Sequence, residues 1–588
     1  MLRLRGLIVS AGLSLGLLAG VSQAIPPALE KAPSDAVMII AVPNPDKMQK
    51  NLQSLTTATE LPLPMLGISD ALAMLGIHGG VATDKSLAIA VMSIPDENDD
   101  EAEPKILAIV PVTSYADFLD NFGAKPGAAG GIDEFEVEFE PAFARDIGGG
   151  YAAMSNDRAL VADYKPGDGR LKAEMGAVGE RLADTSDVVI VMNVAAAMPA
   201  MRAAAARAGE GLGDQLGMMG VDAGAAAENP MAQWVSEQFM DSAKVMVGGL
   251  KAGGLGLSLE MSASFKEGSL MADMFATRGN ANALMGKLPN APFLLAGALD
   301  TAAPGVKKFF KTIADKSKEM GAAEQPGLFT NAMTESDGQS FAIGMSPTML
   351  MGGGLLTNTV QYTKAANPDA AIASIKADLG ALNGKTIEGM TYEFTYKDGG
   401  AKVGDKNVDS WQLKMQSDGS DPMAMQAMAM IFGPSGGPGG YLSKVDGGLV
   451  RTYARNSKLM GDAMGAASGK GPSLASDAAL AQVASQMPQG RVAEAYIGIK
   501  NILDMVLPMA AMFGVQMDLD ELPETLPPIG LAIAGEGGSA HLSVFLPSPV
   551  LKVVATMAEA MGPQFMDMGD FGDMDDFDAD QPTGQPRF

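Results

Sequence analysis

The sequence predicts an α+β protein of two tandem duplicated halves, each an antiparallel β-sheet with helices packed on one face. Three observations predict this class: a strand-to-helix unit recurs four times, apolar strands flank Gly-Gly turns, and the order of these elements repeats. Runs of hairpins favour antiparallel sheets over a doubly wound parallel sheet. The predicted halves are residues 30–286 and 290–562, with a signal peptide at 1–24 and an acidic disordered tail at 563–588.

The first unit shows why the pattern predicts a strand followed by a helix. Val37 to Val42 is an apolar strand, and the turn at Pro43 leads to Asn44, a preferred N-cap residue. Pro45 then occupies the first helical position, where its missing N–H costs nothing. Apolar residues follow at helical spacing as far as Leu55, so the predicted helix has one apolar face.

The first half continues with predicted hairpins. Ser86 to Ile94 and Lys105 to Val112 are paired strands around an acidic loop, and Tyr115 to Phe122 is a helix. The remaining predicted strands are Phe135 to Phe139, Gly150 to Met154, Ala159 to Asp163, Val188 to Met192 with Asn193 as a cap, Val245 to Leu250, Leu255 to Ser264 and Ser269 to Thr277.

The second half repeats this order. Its first strand is Phe293 to Leu299, and Asp300 or Thr301 is the predicted cap of the helix that follows. The alternative is generic α+β patterning, because apolar strands resemble one another, but the shared order favours duplication. The later corresponding segments are Ser340 to Ser346, Leu355 to Thr363, Asp369 to Leu379, Thr391 to Tyr396, Gly448 to Tyr453, Ala495 to Met509 with Asn501 as a cap, Ile529 to Ala534 and Ala540 to Phe545.

Residues 1–24 have the features of a secretory signal peptide. Arg3 and Arg5 provide the positive end, Leu7 to Val21 the apolar segment, and Ser22 to Ala24 a small-x-small cleavage site. The alternative is an uncleaved membrane anchor, which the short apolar run disfavours. The sequence predicts an exported protein of the periplasm or cell envelope with no transmembrane segment after signal cleavage.

Composition argues against several classes of function. The net charge of −27 disfavours nucleic acid and anionic membrane surfaces, because both are bound by clustered lysine and arginine. The chain has no cysteine, which excludes disulfides, thiolate metal sites and cysteine nucleophiles. The Met-rich stretches Met345 to Met351 and Met423 to Met430 either line an apolar pocket or pack in the core, and core packing is the preferred interpretation.

One short motif matches a catalytic signature. Gly433 to Gly437 fits the G-x-S-x-G string of a hydrolase nucleophile elbow around Ser435, and Asp504 and His541 follow in the chain order of that fold. The elbow needs a strand before the serine and a helix after it. Gly437 to Gly440 reads Gly-Pro-Gly-Gly and cannot begin a helix, so a flexible loop is the preferred interpretation.

No metal or cofactor site is predicted. The two histidines, His78 and His541, have no partner at metal-ligand spacing. The acidic tail begins like a calcium loop at Asp576, but Gln581 replaces the turn glycine and Arg587 the closing glutamate. We therefore expect no cofactor, no metal and no assigned catalytic residue, while the many carboxylates leave a paired-carboxylate active site open.

The start of the predicted mature chain resembles a known group of proteins. Ala32 to Ala36 reads small-Pro-Ser-Asp-Ala and is followed by the apolar strand and the Asn-capped helix. This pattern is similar to long exported bacterial proteins that are grouped only as a domain of unknown function. The resemblance covers the first unit and, more loosely, the duplicated layout. It implies an envelope or periplasmic protein and brings no catalytic residues.

We therefore expect an exported cell-envelope protein with a non-catalytic binding or organising role. Its expected partner is an unknown envelope protein or a hydrophobic small molecule. The first alternative is a carrier that holds a hydrophobic, lipid-like ligand between a curved sheet and its helices, using methionine and alanine surfaces. A continuous apolar cavity would favour the carrier, and two filled cores would count against it. The second alternative is a serine hydrolase that acts through Ser435.

Overall fold

The structure is a computed structural model. It describes residues 25–61, 77–94, 104–127, 131–137, 140–199, 230–320, 336–344, 354–387, 389–417, 422–512 and 525–561. The predicted signal peptide, the acidic loop at 96–103, the stretch Met345 to Met351 and the acidic tail lie outside the described residues.

Twenty strands lie within the described residues, and all of them belong to one sheet. In chain order they are β1 (Met38–Val42), β2 (Leu87–Ser93), β3 (Lys105–Pro111), β4 (Asp133–Val137), β5 (Glu140–Asp146), β6 (Tyr151–Ser155), β7 (Val188–Asn193), β8 (Ala243–Gly253), β9 (Gly256–Phe265), β10 (Phe293–Leu299), β11 (Gly338–Gly344), β12 (Thr359–Lys364), β13 (Thr386–Ile387), β14 (Met390–Val403), β15 (Lys406–Ser417), β16 (Gly439–Val445), β17 (Gly448–Thr452), β18 (Arg491–Ile497), β19 (Ile529–Glu536) and β20 (Ser539–Pro547).

The helices of the described residues lie before, between and after these strands. They are α1 (Pro27–Lys31), α2 (Pro45–Thr59), α3 (Tyr115–Asp120), α4 (Arg158–Ala162), α5 (Arg170–Thr185), α6 (Pro230–Ser242), α7 (Leu270–Met274), α8 (Ala281–Met285), α9 (Pro304–Glu319), α10 (Pro368–Gly380), α11 (Pro422–Phe432), α12 (Ser457–Ala467), α13 (Ala478–Gln486), α14 (Ile499–Met512) and α15 (Ser548–Met561). Short 3-10 turns span Leu355–Asn358, Gly433–Ser435 and Leu474–Ser476, and residues 194–199 are also helical.

The strand pairings define one continuous antiparallel order. From one edge to the other it is β4-β5-β6-β3-β2-β1-β7-β8-β9-β20-β19-β18-β10-β11-β12-β17-β16-β15-β14-β13. The α+β class and the antiparallel sheet are therefore confirmed. The hairpins predicted around Gly253-Gly254 and Gly537-Gly538 are the β8–β9 and β19–β20 pairs.

The connections follow the same order on both sides of the β9–β20 pair. Outward from β9 the strands run β8, β7, β1, β2, β3, β6, β5, and outward from β20 they run β19, β18, β10, β11, β12, β17, β16. Helix α8, which the predicted boundary assigns to the first half, packs in the core of the β10–β12 strands through Leu284 and Met285. Duplication of the two halves remains a prediction, which the matching order supports.

Two predicted strands are helices in the structure. Ala159 to Asp163 lies in and just after α4, because Asp157 accepts a hydrogen bond from the Ala159 N–H at 2.8 Å and caps the helix. Ser269 to Thr277 contains α7, where Ser269 accepts from the Ala272 N–H at 3.1 Å. In both segments a polar N-cap residue begins a short helix despite the apolar composition that follows it.

The predicted helix caps have mixed outcomes. Asn44 is confirmed, because its side chain accepts from the Lys47 N–H at 2.8 Å before α2. The prediction that Asn501 caps a helix is wrong, because this residue lies inside α14. Its side-chain amide donates to the Phe293 carbonyl at 2.7 Å. The prediction that Asp300 or Thr301 caps the following helix is also wrong, because α9 begins at Pro304. None of the helices within the described ranges has both the length and the hydropathy that a membrane crossing requires.

The two largest hydrophobic clusters pack against the strands on either side of the β9–β20 junction. One includes Leu182 of α5 together with Val189 and Val247, and the other includes Met460 of α12 together with Tyr362. Both clusters consist of tightly buried side chains. The two cores are therefore filled, which argues against a ligand at the centre of either one.

Candidate functional site: a cavity beside Arg451

A cavity of about 210 Å³ lies between the strands of the second predicted half and helix α10. Strands β11, β12, β15 and β17 contribute its floor, and α10 contributes its roof. This volume exceeds the ~150 Å³ of an engineered apolar cavity that binds benzene. The cavity can therefore receive a small apolar molecule or part of a longer one.

The cavity lies on the face of the sheet opposite the second core. Tyr362 and Val450 belong to that core, whereas their chain neighbours Gln361 and Arg451 line the cavity. Successive residues of a strand point to opposite faces, so this alternation directs one set of side chains into each compartment. The strand pattern, with polar residues between apolar ones, thus separates the core from the cavity.

Helix α10 covers the cavity with one of its faces. Asn367 caps it by accepting from the Ala370 N–H at 3.1 Å, and the helix begins at Pro368. Ala371, Ile375 and Leu379 recur at four-residue spacing and all line the cavity. Other apolar side chains complete the wall: Trp411, Leu413 and Phe432.

A row of hydrogen-bonded polar side chains crosses the floor. The Gln361 amide donates to Gln339 Oε1 at 2.8 Å, and Arg451 Nη2 donates to Gln361 Oε1 at 2.5 Å. Arg451 Nη2 also lies 2.5 Å from the Tyr453 hydroxyl. The guanidinium carbon of Arg451 is 5.3 Å from the Trp411 ring centroid and 4.9 Å from that of Tyr453, within the range of cation–π attraction.

Two donors in this wall have no acceptor among the described residues. Arg451 donates through Nε and Nη2 to neutral oxygens, while its Nη1 makes no hydrogen bond and the guanidinium forms no ion pair there. The buried Nε1 of Trp411 also has no partner. A guanidinium has five donor hydrogens and stays charged at all physiological pH values. The cavity therefore combines an apolar lining with unused positive hydrogen-bonding capacity.

The three residues of the hydrolase alternative contact different partners. The Ser435 hydroxyl oxygen lies 2.8 Å from the Phe432 carbonyl oxygen and 2.9 Å from that of Gly437, and its one hydrogen can be donated to either. Asp504 forms an ion pair with Lys500 at 2.8 Å, and His541 binds Glu260. Helix α11 precedes Ser435 and strand β16 follows it, which is the reverse of the nucleophile elbow. The structure does not form a nucleophile elbow around Ser435.

His541 belongs to a buried polar cluster at the β9–β20 junction. Its Nε2 lies 2.8 Å from Glu260 Oε2, and Lys251 Nζ lies 3.0 Å from Glu260 Oε1. The hydroxyls of Ser262 and Ser543 and the Nδ1 of His541 are buried without partners among the described residues. The other histidine, His78, is exposed on a loop. Within the described ranges, no group of three His, Asp or Glu residues is arranged to hold a metal ion.

Two buried acids near this junction have pKa values shifted in opposite directions. Burial opposes ionisation of Glu260, but the hydrogen bond with His541 and the charge of Lys251 outweigh it and lower the pKa to about 2. Asp187 is also buried, and burial raises its pKa to about 6 against the charge of Lys47. Asn51 donates to its Oδ1 at 2.9 Å.

Sequence reasoning missed the cavity. Neither Arg451 nor Gln361 stands in a motif, and each lies within a short strand that reads as ordinary alternation. A pocket lined by the Met-rich run of α11 was the less favoured interpretation, and the described residues of the cavity lining include Phe432 of that helix and no methionine. The sequence signal that could have pointed to the site was a charged arginine between Val450 and Thr452 in the predicted strand Gly448 to Tyr453.

Comparisons with known proteins give little further information. No family model and no curated protein matches the chain. Crystal form III of TP0453 is similar with 11% identity and a TM-score of 0.21, covering 43% of this chain and 83% of that one. Crystal form I of TP0453 gives 9% identity, a TM-score of 0.20, and coverage of 42% and 81%. Similarity at this level carries no functional argument.

Proposed function

We propose that this protein is an exported, non-catalytic binding protein of the cell envelope that holds a small apolar molecule in the cavity beneath α10. The observation that carries the proposal is the cavity itself: apolar side chains surround it, and a few polar groups converge on one wall. Ligand sites in proteins commonly have this composition. The proposal unites the expected binding role with the carrier alternative, at a site outside the two filled cores.

Export is part of the proposal and rests on the sequence. Arg3 and Arg5 precede the apolar segment Leu7 to Val21, and Ala24 ends a small-x-small site. The non-catalytic role is supported by Ser435, Asp504 and His541, each of which binds a different partner. Within the cell envelope such a protein would carry or sequester its ligand.

The first experiment identifies the bound molecule. The chain is purified from its native compartment without detergent, extracted with organic solvent and analysed by mass spectrometry. We expect one apolar molecule per chain, and the intact protein mass should correspond to cleavage after Ala24. Calorimetric titration of the extracted protein with octan-1-ol then measures the affinity of the empty cavity.

A matched pair of variants locates the site. Ser374 lines the roof, whereas its neighbour Ala373 on the same helix is exposed. Because a phenyl group at 374 would fill the cavity, we expect Ser374→Phe to weaken octan-1-ol binding about 10-fold or more. Ala373→Phe should bind like the wild type. An empty extract together with no measurable octan-1-ol binding would contradict the proposed function.

A further inference from the structure

We infer that the ligand of this cavity carries an anionic head group and that Arg451 binds it, an inference that rests on the proposed function. The ligand class is therefore an apolar chain with one terminal anion. Arg451 would be the specificity-determining residue, because it supplies the positive charge in the cavity lining. The apolar wall formed by Ile375, Leu379 and Leu413 would contact the chain.

The main evidence is that Arg451, a partly buried cation, has no counter-ion among the residues that the structure describes. Arg451 is half-buried, and its partners Gln361 and Tyr453 are neutral. A charge removed from water is costly unless an opposite charge or several hydrogen bonds compensate it. A carboxylate or phosphate would supply that compensation, since a guanidinium pairs with both in a planar, bidentate geometry.

Two lysines near the cavity have the carboxylate partner that Arg451 lacks among the described residues. Lys376 on the roof helix forms an ion pair with Asp398 at 2.7 Å, and Lys444 on β16 forms one with Asp369. Both of these lysines have a carboxylate of this chain as partner. Arg451 has none among the described residues, in a chain with 69 acidic residues and a net charge of −27. In so acidic a protein, an unpaired guanidinium in a cavity is best explained by a ligand that brings the anion.

The surrounding side chains hold the guanidinium in position. Gln361 Oε1 accepts from both Nε and Nη2 of Arg451, at 3.2 and 2.5 Å. The rings of Trp411 and Tyr453 lie close to the guanidinium. These contacts fix the plane of the group while Nη1 keeps its hydrogen-bonding capacity. Such preorganisation reduces the entropy lost when a ligand binds.

Among the described residues that line the cavity, Asp378 of the roof helix is the carboxylate, and it has an interaction partner of its own. Its charge would favour a cationic head group, so it defines the opposite hypothesis for the test. Asp378 and Arg451 predict opposite orders of affinity for ligands of equal chain length. A series of probes that differ only in the head group therefore separates them.

The experiment uses Trp411 as the reporter. The chain contains two tryptophans, so Trp234→Phe in the full-length mature protein leaves Trp411 in the cavity wall as the single tryptophan. Fluorescence titrations compare octanoate, octyl phosphate, octan-1-ol and octylamine. We expect at least one anion to bind about 10-fold or more tightly than octan-1-ol, with octylamine weakest. The tighter anion distinguishes a carboxylate head group from a phosphate.

Three variants test the residue. Arg451→Met should weaken binding of the preferred anion about 10-fold or more and leave octan-1-ol within about threefold. Arg451→Lys keeps the charge and should retain part of the preference for the anion. Arg455→Met is the matched control: it removes the same charge from an exposed arginine that binds Gln412, and it should change neither affinity.

Each outcome decides one of the two proposals. Equal binding of anions and octan-1-ol, or tightest binding of octylamine, would overturn the assignment of Arg451 and leave the cavity as a site for apolar molecules. An anion preference that survives in Arg451→Met would overturn it as well. The retained octan-1-ol affinity of Arg451→Met shows that this variant is folded. Binding of none of the four probes would overturn the proposed function itself.

Discussion

Glu260 shows how single residues at the β9–β20 junction respond to their surroundings. The residue opposite it in the ladder is Ser543, and His541 and Lys251 both contact its carboxylate. Hydrogen bonds and opposite charge stabilise the ionised form, so the pKa falls to about 2 although the group is buried. A carboxylate with a lowered folded-state pKa stabilises the protein above its unfolded pKa and loses that contribution in acid.

The lowered pKa of Glu260 predicts how the stability of the Glu260→Gln variant depends on pH. The folded pKa of about 2 lies below the ordinary value of 4.5, so the charged form contributes roughly 3 kcal/mol at pH 6. Urea unfolding should therefore show a loss of roughly 3 kcal/mol at pH 6 and less than about half of that at pH 3. The exposed Glu237→Gln serves as control and should show little change at either pH. If Glu260→Gln lost the same free energy of unfolding at both pH values, the claim that ionised Glu260 stabilises the junction would be contradicted.

At the scale of elements, short capping interactions decide where helices begin. The Asn44 side chain accepts from the Lys47 N–H and donates to the Asp84 carbonyl at 3.2 Å, so it joins α2 to the segment before β2. A cap of this kind satisfies one of the N–H groups left free at the start of a helix. The same chemistry at Asp157 and Ser269 produced helices where apolar composition predicted strands.

Substitutions at Asn44 test whether the cap stabilises α2. Asn44→Ala removes the acceptor and should lower the free energy of unfolding by about 1 kcal/mol. Asn44→Asp keeps the acceptor at the helix start and should recover most of that loss. Chemical denaturation of the wild type and the two variants measures these free energies of unfolding. Equal destabilisation by both substitutions would indicate that the contact with Asp84, rather than the cap, is what stabilises this position.

At the scale of the whole molecule, one strand pair joins the two predicted halves. Strands β9 and β20 pair from Gly256 opposite Pro547 to Ser264 opposite Ser539. The helices also cross the junction: Lys552 of α15 binds Glu60 at 2.7 Å, and Lys308 of α9 binds Asp273 of α7 at 2.6 Å. Helices of the second predicted half therefore contact the first half, in addition to the strand pairing.

A substitution at Gly256 tests how closely strands β9 and β20 must approach each other. Its φ is +145°, and a Cβ there would lie 2.2 Å from the Leu546 carbonyl oxygen. Gly256→Ala should therefore cost on the order of 2 kcal/mol or more in urea unfolding. Gly248 on β8 is the control, because its Cβ would meet nothing nearer than 3.7 Å, and Gly248→Ala should stay within about 1 kcal/mol. Similar effects of both substitutions would contradict a tight junction.

Local patterns predicted much of the sheet but little of the site. The apolar strand Phe293 to Leu299 was predicted with the bounds it has, since its composition and flanking turns are local signals. The cavity depends on β12, β15, β17 and α10 meeting in space, and no spacing within the chain encodes that meeting. A binding role for Arg451 could therefore not be predicted from its sequence neighbours, because its partner Gln361 lies 90 residues away in the chain.

Local patterns in the chain specify the α+β class, the hairpins and the Asn44 cap, and they give the two predicted halves a similar order of elements. These properties depend on residues close together in the chain, where periodicity and capping chemistry act directly. Three features follow from the packing in space: the strands of the described residues form one sheet, His541 binds Glu260, and Arg451 lines a cavity with no counter-ion among the described residues. Such contacts join residues far apart in the chain, so the packing of whole elements determines them.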